Sequence, residues 1–156
     1  MPERSTIRFS GRRFLGRGAR ERLRKVVREM LRESGRSGEV SVVFVDDPTI
    51  SEIHREYFDD ASPTDVITFP FDEDLASLDP HDVAGRAPLL GELVVSVETA
   101  KREALRRKVS PEQEAGLYVI HGVLHLLGYD DRSPDETRKM RRAERKYLRL
   151  FASSSP

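Results

Sequence analysis

Two of the chain's four histidines stand four residues apart, in the stretch His121-Gly122-Val123-Leu124-His125-Leu126-Leu127-Gly128-Tyr129-Asp130-Asp131. Side chains at i and i+4 lie one above the other on a helix, so both imidazoles can reach one ion. Gly128 falls where that helix must end, because glycine readily takes the left-handed conformation that reverses the chain. The reversal returns Asp131 toward the imidazoles. Asp130 competes for the same place, or orients an imidazole from behind the ligands. Three ligands from one short segment leave a coordination position open, the pattern of catalytic rather than structural metal sites. A cation so held polarises an oxygen of a substrate and lowers the pKa of water.

The elements that must carry these residues are legible in outline. Ser110-Pro111-Glu112-Gln113 has a capping serine, proline at the first helical position and a capping-box glutamine, and opens a helix that runs to Leu127. Leu117, Val119, Ile120, Leu124, Leu126 and Leu127 make it apolar, so it reads as a central helix with the metal site at its C-terminal end. Thr6–Ser10, Val40–Val45, Asp65–Phe69 and Leu93–Val97 read as strands. Residues 18–34, a short helix opened by Asp47-Pro48, Glu98–Lys108 and roughly 133–151 read as helices. The expected inner faces hold Ile50, Ile53 and Tyr57 in the second of these, Ala100, Ala104 and Leu105 in the third, and Met140, Ala143, Tyr147 and Phe151 in the last. Ser96 and Thr99 read as capping residues of the third. Residues 71–89 read as a long acidic loop. The pattern predicts an α+β fold, a small mixed four-stranded sheet packed with about five helices, in one domain spanning 1–156.

Composition narrows the function class. At 156 residues the chain can bury a sizeable core, and it has no cysteine, which excludes a disulfide framework and a thiolate metal site. Its apolar runs are far too short for a membrane span and its N-terminus lacks an apolar signal region, so the expectation is a cytoplasmic protein without membrane contact. The net charge is zero, from 27 basic and 27 acidic residues, but it is unevenly placed. Residues 1–38 carry 12 basic and 4 acidic side chains, and residues 45–82 carry 1 basic and 12 acidic. A neutral molecule so divided can present a basic face to phosphates.

The spacing of His121, His125, Gly128 and position 131 is also that of metzincin proteases. Those place a glutamate base directly after the first histidine, where this chain has Gly122. The whole stretch HGVLHLLGYDD more closely resembles the YbeY family of bacterial metal-dependent endoribonucleases, whose signature H-G-x-x-H-L-x-G-Y-D-H it matches at every fixed position but the last. Thr64-Asp65-Val66-Ile67-Thr68-Phe69 matches a second family segment, T-D-V-[LI]-[ST]-F. Leu90-Gly91-Glu92-Leu93, with Ser96-Val97-Glu98-Thr99-Ala100 after it, matches a third.

The resemblance implies a single-strand-specific endoribonuclease of small-subunit ribosomal RNA maturation and ribosome quality control. Ribosomal RNA and the small subunit would be its partners. It implies zinc held by His121, His125 and Asp131, with Asp131 where the family usually has a third histidine. Aspartate is a legitimate zinc ligand and widens tolerance toward Mn²⁺ or Fe²⁺. In His54-Arg55-Glu56-Tyr57-Phe58 the family commonly has N-x-x-Y-R, so Phe58 stands at the position of an arginine tied to catalysis. Arg55 projects from another face of that helix. Asp65 is a candidate base or supporting carboxylate and Tyr129 a candidate phosphate donor. Arg138, Arg142, Arg145 and Arg149 on the last helix are candidate RNA contacts, as is the stripe Arg20, Arg24, Arg28 and Arg32. No aromatic stacking platform is expected, and His54 and His81 read as surface residues. Two other readings stand beside the nuclease: a metal-dependent hydrolase of peptides, and a ribosome-associated RNA-binding protein that keeps the metal with weak catalysis.

Overall fold

A computed structural model describes residues 5–58, 65–71 and 88–153. Four strands form one mixed sheet in the order β1-β2-β4-β3: β1 Thr6–Gly11, β2 Glu39–Val45, β3 Val66–Pro70 and β4 Leu89–Ser96. β1, β2 and β4 run parallel, and β3 pairs antiparallel with β4 at the far edge. Among the described residues there are five helices: α1 Arg17–Glu33, α2 Asp47–Phe58, α3 Val97–Arg107, α4 Pro111–Leu126 and α5 Pro134–Ser153. The expected α+β architecture is the one observed. His81 and most of the acidic loop 71–89 lie outside the described residues.

Register explains which side chains face which layer. Ile7 pairs with Val40, Phe9 with Val42, Thr68 with Leu93 and Val66 with Val95, so these alternate residues share one face. That face packs against α1, α4 and α5 through Leu23, Val26, Met30, Ile120, Leu124 and Met140. The intervening residues Ile67 and Val94 meet Ile50, Ile53 and Phe69 under α2. α4 lies so close to the sheet that a Cβ at Gly122 would sit 2.7 Å from Leu93 Cδ2, inside any normal contact.

Four expectations need correction. The cap of α2 is Asp46, whose Oδ1 accepts the Thr49 N–H at 2.9 Å, and not Asp47. Asp47 turns instead to the start of α3, where it accepts from Ser96 Oγ (2.5 Å), Thr99 Oγ1 (2.9 Å) and Arg102 (2.6 Å). Tyr57 and Leu105 are exposed at 63% and 82%: helical spacing put them inward, but each falls at the margin of its apolar stripe. The arginine stripe of α1 is largely committed within the fold. Arg24 pairs with Glu21 and Arg32 with Glu29, while Arg28 donates to the Ser5 carbonyl at 3.1 Å.

Candidate metal centre

Ser110 opens α4 by accepting the Gln113 N–H at 3.0 Å, with Pro111 next, as the sequence indicated. α4 ends at Gly128, whose φ of +100° is the positive-φ geometry that glycine adopts without strain. The chain turns back there, and the Tyr129 N–H closes the turn on the Leu124 carbonyl at 3.0 Å. Ser133 then caps α5, and Thr137 Oγ1 donates to the Asp131 carbonyl at 3.3 Å. The loop that carries Asp131 is thus fastened at both ends.

This brings His121, His125 and Asp131 together, with one ligand atom of each within 4.8 Å of the others. The Nε2 atoms of His121 and His125 face each other at 3.0 Å. Behind His121, its Nδ1 lies 2.5 Å from Glu144 Oε1 on α5. Burial works to raise the Glu144 pKa, but the bonds from His121 and Arg141 outweigh it and hold the carboxyl below its ordinary range. An ionised carboxylate only accepts, so Nδ1 carries the proton and Nε2 offers a lone pair. His121 Nε2, His125 and a carboxylate oxygen at this separation could hold one divalent cation, since ligands ~2.0–2.2 Å from a tetrahedral ion lie only a little over 3 Å apart. Asp130 is used locally: its carboxylate accepts the Asp131 N–H at 2.8 Å and pairs with Arg132 at 3.0 Å.

The group opens into a cavity of about 660 Å³ that wraps the edge strand β3. Its lining includes His121, His125 and Tyr129 from α4 and its turn, Asp65 and Thr68 from β3 and the residue before it, and His54 and Arg132. His54 lines the cavity and is not one of the three grouped ligands. Asp65 is exposed there, and one of its carboxylate oxygens accepts the Val66 N–H at 2.7 Å. Of the α5 arginines, Arg138 is paired with Asp135. Arg142 and Tyr129 line a neighbouring concavity, Arg149 a further one beside Lys146, and Arg145 lines none of those described.

Sequence reading misses Glu144 and Arg132. Glu144 has a usable signal: it stands four residues after Met140 and three before Tyr147, inside the inward stripe of α5, and is 4% exposed. A carboxylate in an apolar stripe needs a partner. Arg132 has none, because it follows a turn with no periodicity to read.

A family model described as Endoribonuclease YbeY matches residues 14–152. Proteins named Endoribonuclease YbeY are similar to the chain over most of its length. That of Protochlamydia amoebophila is 39% identical, covering 79% of this chain and 77% of its own. That of Beutenbergia cavernae is 41% identical, covering 72% and 74%. That of Anaeromyxobacter sp. is 37% identical, covering 92% and 71%. The solution structure of TM1509 from Thermotoga maritima superposes with a TM-score of 0.64 at 27% identity, covering 93% of this chain and 88% of that one. The signature on α4, the mixed sheet beneath it and these likenesses agree: the chain belongs to the YbeY family.

Proposed function

We propose that the chain is a metal-dependent, single-strand-specific endoribonuclease that acts in the cytoplasm on small-subunit ribosomal RNA, in its maturation and quality control. The observation that carries this is the His121/His125/Asp131 group at the wall of an open cavity, inside the span that matches the family. We assign the resident ion as zinc. The aspartate, harder than a third imidazole, also admits Mn²⁺ or Fe²⁺.

When bound, the cation supplies Lewis acidity, withdrawing charge from a phosphate oxygen and acidifying water. The chain's own side chains do the rest. Glu144 fixes the proton on His121 Nδ1 and so aims Nε2 at the cavity. Asp65, in the cavity lining, is the carboxylate that takes the proton of the attacking oxygen. Tyr129 donates its hydroxyl to a phosphate oxygen. Arg132 and His54 also line the cavity, and Arg132 supplies the phosphate-facing charge that a phenylalanine at position 58 cannot.

The peptidase reading loses support at Gly122. A glutamate base there would drive its Cβ into Leu93. The deciding experiment measures metal by elemental analysis and cleavage of a single-stranded RNA, for the wild type and His125→Ala. Near-stoichiometric metal with cleavage, both lost in the variant, is expected. Metal without cleavage would favour the binding-protein reading. No metal in the wild type would overturn the site.

A further inference from the structure

The lip between β1 and α1 gathers a second set of side chains, at the edge of the sheet opposite β3. Arg12, Arg13 and Arg20 converge there on a concavity of about 480 Å³ whose apolar lining includes Phe9, Phe14 and Phe44. No described carboxylate lines it, whereas Asp65 and Asp130 line the metal cavity. Phe9 stacks on Phe44 with centroids 6.1 Å apart and 11° between planes, and Phe14 tilts against Phe44 at 5.8 Å. Phe44 is buried, while Phe9 and Phe14 are half-exposed. The three rings come from β1, the β1–α1 loop and β2, so no single segment displays them together.

The charges here differ from those elsewhere on α1. Arg22, Arg24 and Arg32 each find a glutamate, and Arg12 finds Asp46 at 2.8 Å. Arg13 and Arg20 make no ion pair among the described residues and are exposed. Two exposed guanidiniums without an ion pair, beside one that has its own, favour an external anion. Lys101 Nζ lies 5.9 Å from the Phe14 ring and adds a fourth cation nearby. Cations tracking a backbone beside rings that accept bases are the chemistry of single-stranded nucleic-acid binding.

We propose that this lip is an RNA-anchoring surface separate from the metal cavity. Arg13 and Arg20 hold phosphates and Phe14 stacks a base of the same strand that the metal centre cuts. The proposal rests on RNA being the substrate. Three strand spacings, about 14 Å, separate the two sheet edges. A strand engaging both sites must therefore run several nucleotides past the scissile bond, and a short oligonucleotide reaches only one.

The test compares unstructured polyuridine with a short oligonucleotide that fills the metal cavity alone. Arg13→Glu is expected to weaken polyuridine binding about tenfold and R13E/R20E further, with the slope of log K against log salt falling by about one per lost phosphate contact. Phe14→Leu is expected to weaken it about fivefold with the slope unchanged. Metal content and short-oligonucleotide cleavage by Arg13→Glu stay at wild-type values. Photo-crosslinking of thiouridine RNA to the wild type, which needs no variant to fold, is expected to label the peptide holding Phe14. Unchanged affinity and slope in R13E/R20E, or crosslinks confined to residues 129–132, would overturn the anchor while leaving the nuclease reading intact. Retained RNA affinity with lost binding to polyglutamate, which the wild type holds, would replace it by an acidic protein partner. A wild type that neither cuts nor binds RNA would overturn both readings together.

Discussion

Two polar clusters of this molecule are each built around a carboxylate, and they differ in whether their donors and acceptors match. Asp47 joins α2 to α3 and takes hydrogen bonds from Ser96, Thr99 and Arg102. Its partners are all donors, so the cluster is complete. The metal centre is different. Glu144 is satisfied by His121 and Arg141, but in front of it His121 Nε2, His125 Nε2 and Asp131 converge with no cationic side chain paired to Asp131 among the described residues. Such a group could hold a metal ion. Complete clusters hold a fold together, and incomplete ones bind.

The comparison breaks if the metal cluster proves to be the structural one. The largest effect is expected from His125→Ala, which should abolish stoichiometric metal and lower RNA cleavage about a thousandfold, with far-UV circular dichroism unchanged. Next comes Glu144→Ala. It leaves the ligands in place but frees the His121 ring, and metal affinity measured by chelator competition should fall about 10–100-fold. Arg132→Ala should lower cleavage about tenfold at full metal occupancy, since it removes one charged contact from the cavity lining.

Asp47→Ala should do the opposite of all three. It should destabilise the fold by about 1–3 kcal/mol in urea unfolding and leave metal content untouched, because it strands three donors. Partial burial pushes the Asp47 pKa up, but the bonds from Ser96, Arg102 and Thr99 prevail and hold it below the ordinary range. The stabilisation is therefore complete above the unfolded value of about 3.9 and is lost as pH falls through the lower folded value. The stability gap between wild type and Asp47→Ala should be constant near neutrality and close below about pH 4. A gap that widened in acid would show that Asp47 is not held as an anion.

Much of this contrast is legible in the amino-acid sequence, and what is not shares a cause. The α4 motif names His121, His125 and Asp131 because a helix and a glycine stop are local events. The strands of the parallel core are readable as β-branched runs, although β4 begins four residues earlier than its hydropathy marks. Asp47 reads as a helix cap because its true partners lie about fifty residues away on α3. Phe9, Phe14 and Phe44 are invisible as a group for the same reason. Spacing reports what a segment does to itself, and contacts between segments surface only where a residue offends its own pattern, as Glu144 does.

The seat of α4 on β4 also bears on what this scaffold can become. A general base placed one residue after the first ligand would give the helix the sequence logic of a peptidase. That change is a single substitution, but at position 122 it collides with Leu93 in the centre of the sheet. Leu93 would have to shift or shrink to admit the new side chain, and overpacking of a core typically costs about 1–3 kcal/mol. The variant carrying the base would be a weakened protein. The fold therefore has a barrier between two hydrolytic chemistries that share one ligand spacing, and it lies in packing rather than at the metal.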